Sequence, residues 1–165
     1  MITLQPGEVK QANVALTPTS PWILPAGASS SDPNWYVPRA ACDGSLNTRT
    51  YYIYATAPDA YTPFIEFLCG GTRNIMGFKV YLGRQPWSLS QNIPQGVDID
   101  ITSDGITWVD MVEETITGGQ WVELYLPNPV LAVKVRLRIR NVLPTSCHMA
   151  VIEFMLGVAP LPILT

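Results

Sequence analysis

Apolar and polar residues alternate without interruption from Val97 to Thr102, with Val97, Ile99 and Ile101 set between Asp98, Asp100 and Thr102. A period of two puts one set on each face of an extended chain, so the segment predicts a β-strand with one buried side. The same period runs for longer from Ala132 to Asn141. There Val133, Val135, Leu137 and Ile139 point one way, and Lys134, Arg136, Arg138 and Arg140 point the other. β-Branched side chains hold most of the inward positions, as a pleated surface favours. Four further runs, Phe64 to Leu68, Ile75 to Leu82, Trp121 to Leu126 and Val151 to Leu156, are short, apolar and bounded by glycine or proline. Their apolar residues fall on both faces, which suits strands covered on both sides. Tyr51 to Tyr54 reads as one more short strand.

The punctuation between these runs is that of an antiparallel protein. Ser103-Asp104-Gly105 lies between Val97–Thr102 and Thr107–Glu113 and predicts a hairpin. Gly118-Gly119 separates the latter segment from Trp121 in the same way. Pro127-Asn128-Pro129 is expected to end the strand that starts at Trp121, because proline cannot donate to a central ladder. No amphipathic helical period persists for three turns. In the first sixty residues Pro21, Pro25, Pro33, Pro38 and Pro58 interrupt the chain, and Ala28-Ser29-Ser30-Ser31-Asp32 has loop composition. Many short strands at close spacing argue for an all-β sandwich. Periodicity does not separate a jelly roll from an immunoglobulin-like topology.

Composition narrows the function classes. A chain of 165 residues, 47% hydrophobic, fits one domain with a core that needs no stapling. The net charge of −3 lacks the basic surplus that non-specific nucleic-acid binding requires, and gives no global attraction to anionic membranes. No stretch approaches the roughly 20 apolar residues of a membrane helix, so no membrane insertion is expected. Met1 to Glu8 has neither a basic region nor an apolar one, and is not expected to be a signal peptide. Cys42, Cys69 and Cys147 allow at most one internal disulfide; the reading adopted is buried thiols packed as small hydrophobes. With no CxxC spacing and His148 as the only histidine, a zinc site is not expected.

Three ordered stretches carry a family resemblance. They are Ala40-Ala41-Cys42-Asp43-Gly44-Ser45-Leu46-Asn47-Thr48, then Asp100 to Trp108 with its Ser103-Asp104-Gly105 turn, then Val133 to Ile139 followed by Val151-Ile152-Glu153-Phe154. Together they resemble the discoidin family, also called the coagulation-factor type C or galactose-binding-like domain. That resemblance implies an all-β, antiparallel, eight-stranded jelly-roll β-sandwich over residues 13–158, with ligand-binding loops at one end. Residues 1–12 are then expected to form an extended N-terminal arm and residues 159–165 a proline-rich C-terminal tail. The chain departs from the family pattern at Thr50, where members usually carry tryptophan; Tyr51 and Tyr52 follow it.

The resemblance also implies a site for a structural Ca2+ ion. Carried over by position, its ligands are the side chains of Asp43 and Glu153, Thr48, and backbone oxygens of Ala40, Ser45 and Ile152. Calcium takes six to eight hard oxygen ligands, which such a loop around a carboxylate supplies. Without metal, Glu153 is expected to bond loop amides or to pair with Arg49, since an unpaired charge in an apolar strand is costly.

Loop aromatics beside polar groups supply candidate ligand contacts: Trp35 and Tyr36, Arg84 and Trp87, and His148 in the loop before the last strand. The opposing expectation is that such rings plug the ends of the sandwich. The row Lys134, Arg136, Arg138 and Arg140 either holds an acidic partner or faces Asp98 and Asp100 in ordinary cross-strand pairs, and the second is the reading adopted. Catalytic residues are not expected. Cys147 and His148 are neighbours that point apart, so they make a poor nucleophile and base. The leading expectation is a binding module that recognises a surface glycan or a protein partner within a larger assembly, as lectin-like and cell-adhesion modules do. The alternatives are a structural virion protein, such as a phage tail or decoration component, and a hydrolase.

Overall fold

A computed structural model describes residues 22–84 and 94–160, the side chain of Arg84 excepted. Its strands are β1 (Trp22–Ile23), β2 (Gly27–Ser29), β3 (Trp35–Tyr36), β4 (Thr50–Tyr52), β5 (Ile65–Arg84), β6 (Pro94–Thr102), β7 (Val109–Thr117), β8 (Trp121–Arg140) and β9 (Met149–Val158). A short 3-10 helix, Pro38–Cys42, precedes the Asp-Gly loop. The hydrogen-bonded order is β3-β4-β9-β5-β8-β6-β7, with β1 beside β9 and β2 beside β5.

The expected hairpin is present, and β6 and β7 pair from Ile101↔Val109 to Pro94↔Thr117. Asp104 makes the turn. Its Oδ1 accepts from the amides of Ile106 (2.8 Å) and Thr107 (2.7 Å) and from the Thr102 hydroxyl (2.9 Å). These bonds hold its carboxyl well below the usual carboxylate range. They also keep Thr107 in the turn, so β7 starts at Val109 and not at Thr107 as expected.

Two expected boundaries are corrected. Phe64–Leu68 and Ile75–Leu82 belong to one strand, β5, which bends at Gly70 and Gly71. Both glycines have positive φ (72° and 108°), and the register with β8 slips between Leu68 and Arg73. Nor does Pro127-Asn128-Pro129 end β8. Pairing with β5 passes from Gly77↔Tyr125 to Ile75↔Val130, so the prolines fall in a bulge where no ladder N–H is required.

These bends turn one hydrogen-bonded network into a two-layer sandwich. The first part of β5 pairs with the second part of β8, which also carries β6. The second part of β5 pairs with the first part of β8 and with β9. Phe67 and Phe154, from opposite layers, stack at 4.3 Å, and Phe78 lies 5.9 Å from Phe154. Ile65, Ile75, Leu137, Ile139 and Leu156 are among the other fully buried side chains of the core.

Within one layer, β5 and β8 approach closely at Gly77. A Cβ there would stand 2.6 Å from the Leu124 carbonyl oxygen and 3.3 Å from Tyr125 Cα. Backbone cannot swing aside as a side chain can. Gly77→Ala is therefore expected to cost about 2 kcal/mol, seen as a lower urea midpoint at unchanged slope. An unaltered midpoint would show that the pairing slides to make room.

The charged row behaves as cross-strand pairing requires. Arg136 Nε and Arg138 Nε each donate to Oδ2 of Asp100 and Asp98 at 2.6 Å. Lys134 faces Glu66 at 3.7 Å and Arg140 faces Asp59 at 3.5 Å. Phe64 and Trp108 cover Arg136, and Tyr61 covers Arg138. Neutralised and covered, these guanidinium groups are poor sites for an acidic partner. Cys42 and Cys69 are buried thiols outside any disulfide, and burial pushes both up to about 11. Residues 1–12 lie outside the described residues. Of residues 159–165 only Ala159 and Pro160 are described, and both are hydrogen-bonded to Asn74.

Candidate functional site

The loop after the 3-10 helix and the outer face of β9 form one polar cluster. Phe154 points into the core, so its neighbour Glu153 points the other way, toward the loop. Glu153 is only 2% exposed, and neither carboxylate oxygen has a hydrogen-bond partner among the described residues. Burial, and then the charge of Asp43, push it up to about 7. The amides of Gly44, Ser45 and Phe154 oppose this as nearby dipoles. The Ser45 amide instead donates to Asp43 Oδ1 at 2.9 Å.

Asp43 organises the loop from its exposed side. Thr48 Oγ1 donates to Asp43 Oδ2 at 2.6 Å and lies 3.1 Å from the Ser45 carbonyl oxygen. Asp43, Ser45 and Thr48 thus come together, while Ala40 sits in the helix and Ile152 on β9 beside Glu153. Every donor in this set is an oxygen. An orphaned buried carboxylate beside a second one is stabilised by a hard cation, so the residues fit Ca2+. Asp98, Asp100 and Asp110 also converge, but Arg138 and Arg136 already neutralise the first two.

A second cluster is aromatic. Thr50 is buried and donates to the Tyr36 carbonyl at 2.6 Å, and Trp35 precedes Tyr36 on β3. Trp35 is 3% exposed, its indole N–H donates to the Pro63 carbonyl at 2.9 Å, and it packs on Tyr52. Its place as a candidate ligand contact is corrected, since the ring offers no face to a ligand. Tyr36, next along β3, points out. It is 51% exposed and stacks on Tyr51 at 4.9 Å. The pair lines a cleft of about 310 Å3 with Val37, Asn47, Thr48 and Arg49. Val37 holds φ +46°, a costly conformation for a β-branched residue and one that collects at functional sites.

Tyr54, 60% exposed, packs against Tyr52, whose ring lies on Trp35. The start of β9 brings in the other candidates. Met149 pairs with Arg84, Cys147 bridges Thr56, and half-buried His148 stands between. Arg84 and His148 therefore reach the same end as Tyr54, while Trp87 lies outside the described residues. Tyr51 and Tyr54 join the candidates here, and the run Tyr51-Tyr52-Ile53-Tyr54 is the sequence signal for them.

The profile of the F5/8 type C domain family matches residues 25–154. The chain belongs to the F5/8 type C domain family. The discoidin resemblance is thereby established, and solved structures agree on the β-sandwich. The CBM32 of AlyQ in complex with 4,5-unsaturated mannuronic acid superposes with a TM-score of 0.58 at 16% identity, covering 82% of this chain and 96% of that one. CpGH89CBM32-5 from Clostridium perfringens, in complex with GalNAc-β-1,3-galactose, gives 0.59 at 19%, covering 78% and 91%. The family 32 module of C. perfringens NanJ, in complex with galactose, gives 0.57 at 13%, covering 79% and 90%. No curated protein matches this F5/8 type C domain by sequence.

Proposed function

We propose that this F5/8 type C domain is a non-catalytic carbohydrate-binding module, holding a surface glycan at the end of the sandwich where Tyr36 and Tyr54 are exposed and Tyr51 is half-buried. The stacked Tyr36–Tyr51 pair over a cleft edged by Asn47, Thr48 and Arg49 carries this reading. A pyranose has an apolar face and a rim of hydroxyls. It is matched by an aromatic surface with amide, hydroxyl and guanidinium groups at its edge. The galactose, GalNAc-galactose and mannuronate complexes of the similar structures support a sugar as the ligand class. Ca2+ belongs to the same reading as a structural ion. Asp43, Glu153 and Thr48, with the carbonyls of Ala40, Ser45 and Ile152, would hold it and fix the loop that walls the cleft.

Binding is tested on a broad glycan array. Tyr36→Ala and Tyr54→Ala are each expected to weaken the best glycan about tenfold, the loss of about 1.4 kcal/mol of stacking. Both rings are exposed, so the thermal midpoint is expected to stay put. An array on which the unmodified protein binds nothing would sink the proposal.

A further inference from the structure

Two strand edges face one groove on the flank away from β9. Among the described residues β7 is hydrogen-bonded only to β6. Trp121–Tyr125 of β8 are bonded only to β5, because β8 meets β6 from Lys134 onward. Between these runs lies a groove of about 630 Å3, walled by Met111–Thr117 and Val122–Tyr125. Successive residues of a strand point to opposite faces. A groove that touches every residue of two such runs therefore lies along their edges, where backbone N–H and C=O groups are open.

Open edges invite another strand unless lysine, proline or an inward charge blunts them. Met111–Thr117 contains neither lysine nor proline. The groove floor is apolar: Met111, Val122 and Leu124 pack half-buried against the core, and Ile116 is buried. Its rim is acidic, with Glu114, with Glu113, which accepts from the Tyr61 hydroxyl at 2.7 Å, and with Glu123, which pairs with Lys79 at 3.3 Å; no lysine or arginine is among the lining residues.

We propose that this groove takes an extended peptide of another polypeptide as an added β-strand, with apolar side chains alternating with lysine or arginine. The apolar residues would fall on Met111, Ile116, Val122 and Leu124, while the cations face Glu113 and Glu114. Pairing through backbone supplies affinity, and the alternating pockets supply selectivity. A sugar fits the groove less well. The one aromatic ring lining it, Tyr125, already contacts Trp22 at 6.0 Å and donates its hydroxyl to Glu123. A second copy of this chain, at net charge −3, brings the wrong sign.

The test uses the full chain and a fluorescein-labelled peptide of about eight residues alternating Lys and Val, long enough to span Met111–Thr117. A Glu-Val peptide of equal length is the control. The Lys-Val peptide is expected to bind by fluorescence anisotropy and to lose at least tenfold on Glu114→Lys. It is expected to protect amides of Val109–Thr117 or Trp121–Tyr125 from hydrogen exchange. Tyr54→Ala, which removes a glycan contact, is expected to leave this binding unchanged, so the two readings fail separately. No binding, equal binding of the Glu-Val peptide, or binding without new amide protection overturns the proposal. So does protection of the same amides by an array-selected glycan, or by the protein's own concentration.

Discussion

Glu153→Gln is expected to raise the unfolding midpoint of the protein in excess chelator at pH 8, and to abolish its stabilisation by Ca2+. The folded state lifts the Glu153 carboxyl from its ordinary 4.5 to about 7. The native fold thus prefers the neutral acid. The corresponding stability is fully present below about pH 4.5 and is lost as the pH rises through about 7. Above that, the buried carboxylate without metal costs about 3 kcal/mol, since each tenfold change in proton affinity is worth about 1.4 kcal/mol. Glutamine keeps the size and removes the charge, so the variant escapes the cost. It also loses a hard ligand, so Ca2+ has less to bind. Thermal melts from pH 4.5 to 8.5, with chelator and with Ca2+, read both effects. A flat pH profile in chelator, or an undiminished Ca2+ effect in the variant, would refute this account of the cradle.

Phe154→Ala is expected to be the most destabilising single truncation, at about 3–5 kcal/mol. Its ring joins the layers through Phe67 at 4.3 Å and reaches Phe78 at 5.9 Å. Truncation leaves a void between two bent strands that are fixed by their own hydrogen bonds and cannot close in. Against a typical total of about 5–15 kcal/mol, the loss is large enough to populate the unfolded state near physiological temperature. Phe154→Leu, which refills most of the void, is expected to recover about half. Urea denaturation checks both, and a cost below about 1 kcal/mol for alanine would show that the layers are joined elsewhere.

What the chain discloses from sequence is local. The alternation at Val97–Thr102, the Asp104 turn and the ladder of Lys134 to Arg140 each depend on neighbours in the chain. Glu153 stands out because a carboxylate between Ile152 and Phe154 needs a reason. The continuity of β5 and β8 depends instead on a slip of register between segments far apart in sequence, so Gly70 and Pro127 read as ends when they are bends. Trp35 and Tyr36 illustrate the same limit. Both sit in a loop-like composition, and only the pairing of β3 with β4 decides which ring turns inward. The groove beside β7 is still less legible, because an edge is defined by the strand that is not there.

The bent strands have a mechanical consequence. On one flank the two layers are joined by unbroken backbone, so they cannot be peeled apart without tearing the ladders of β5 and β8. On the other flank β7 and β8 meet only across a gap. The sandwich is built like a book, with a spine and a fore-edge. Under the proposed docking, a guest would enter at the fore-edge while the spine keeps the core shut.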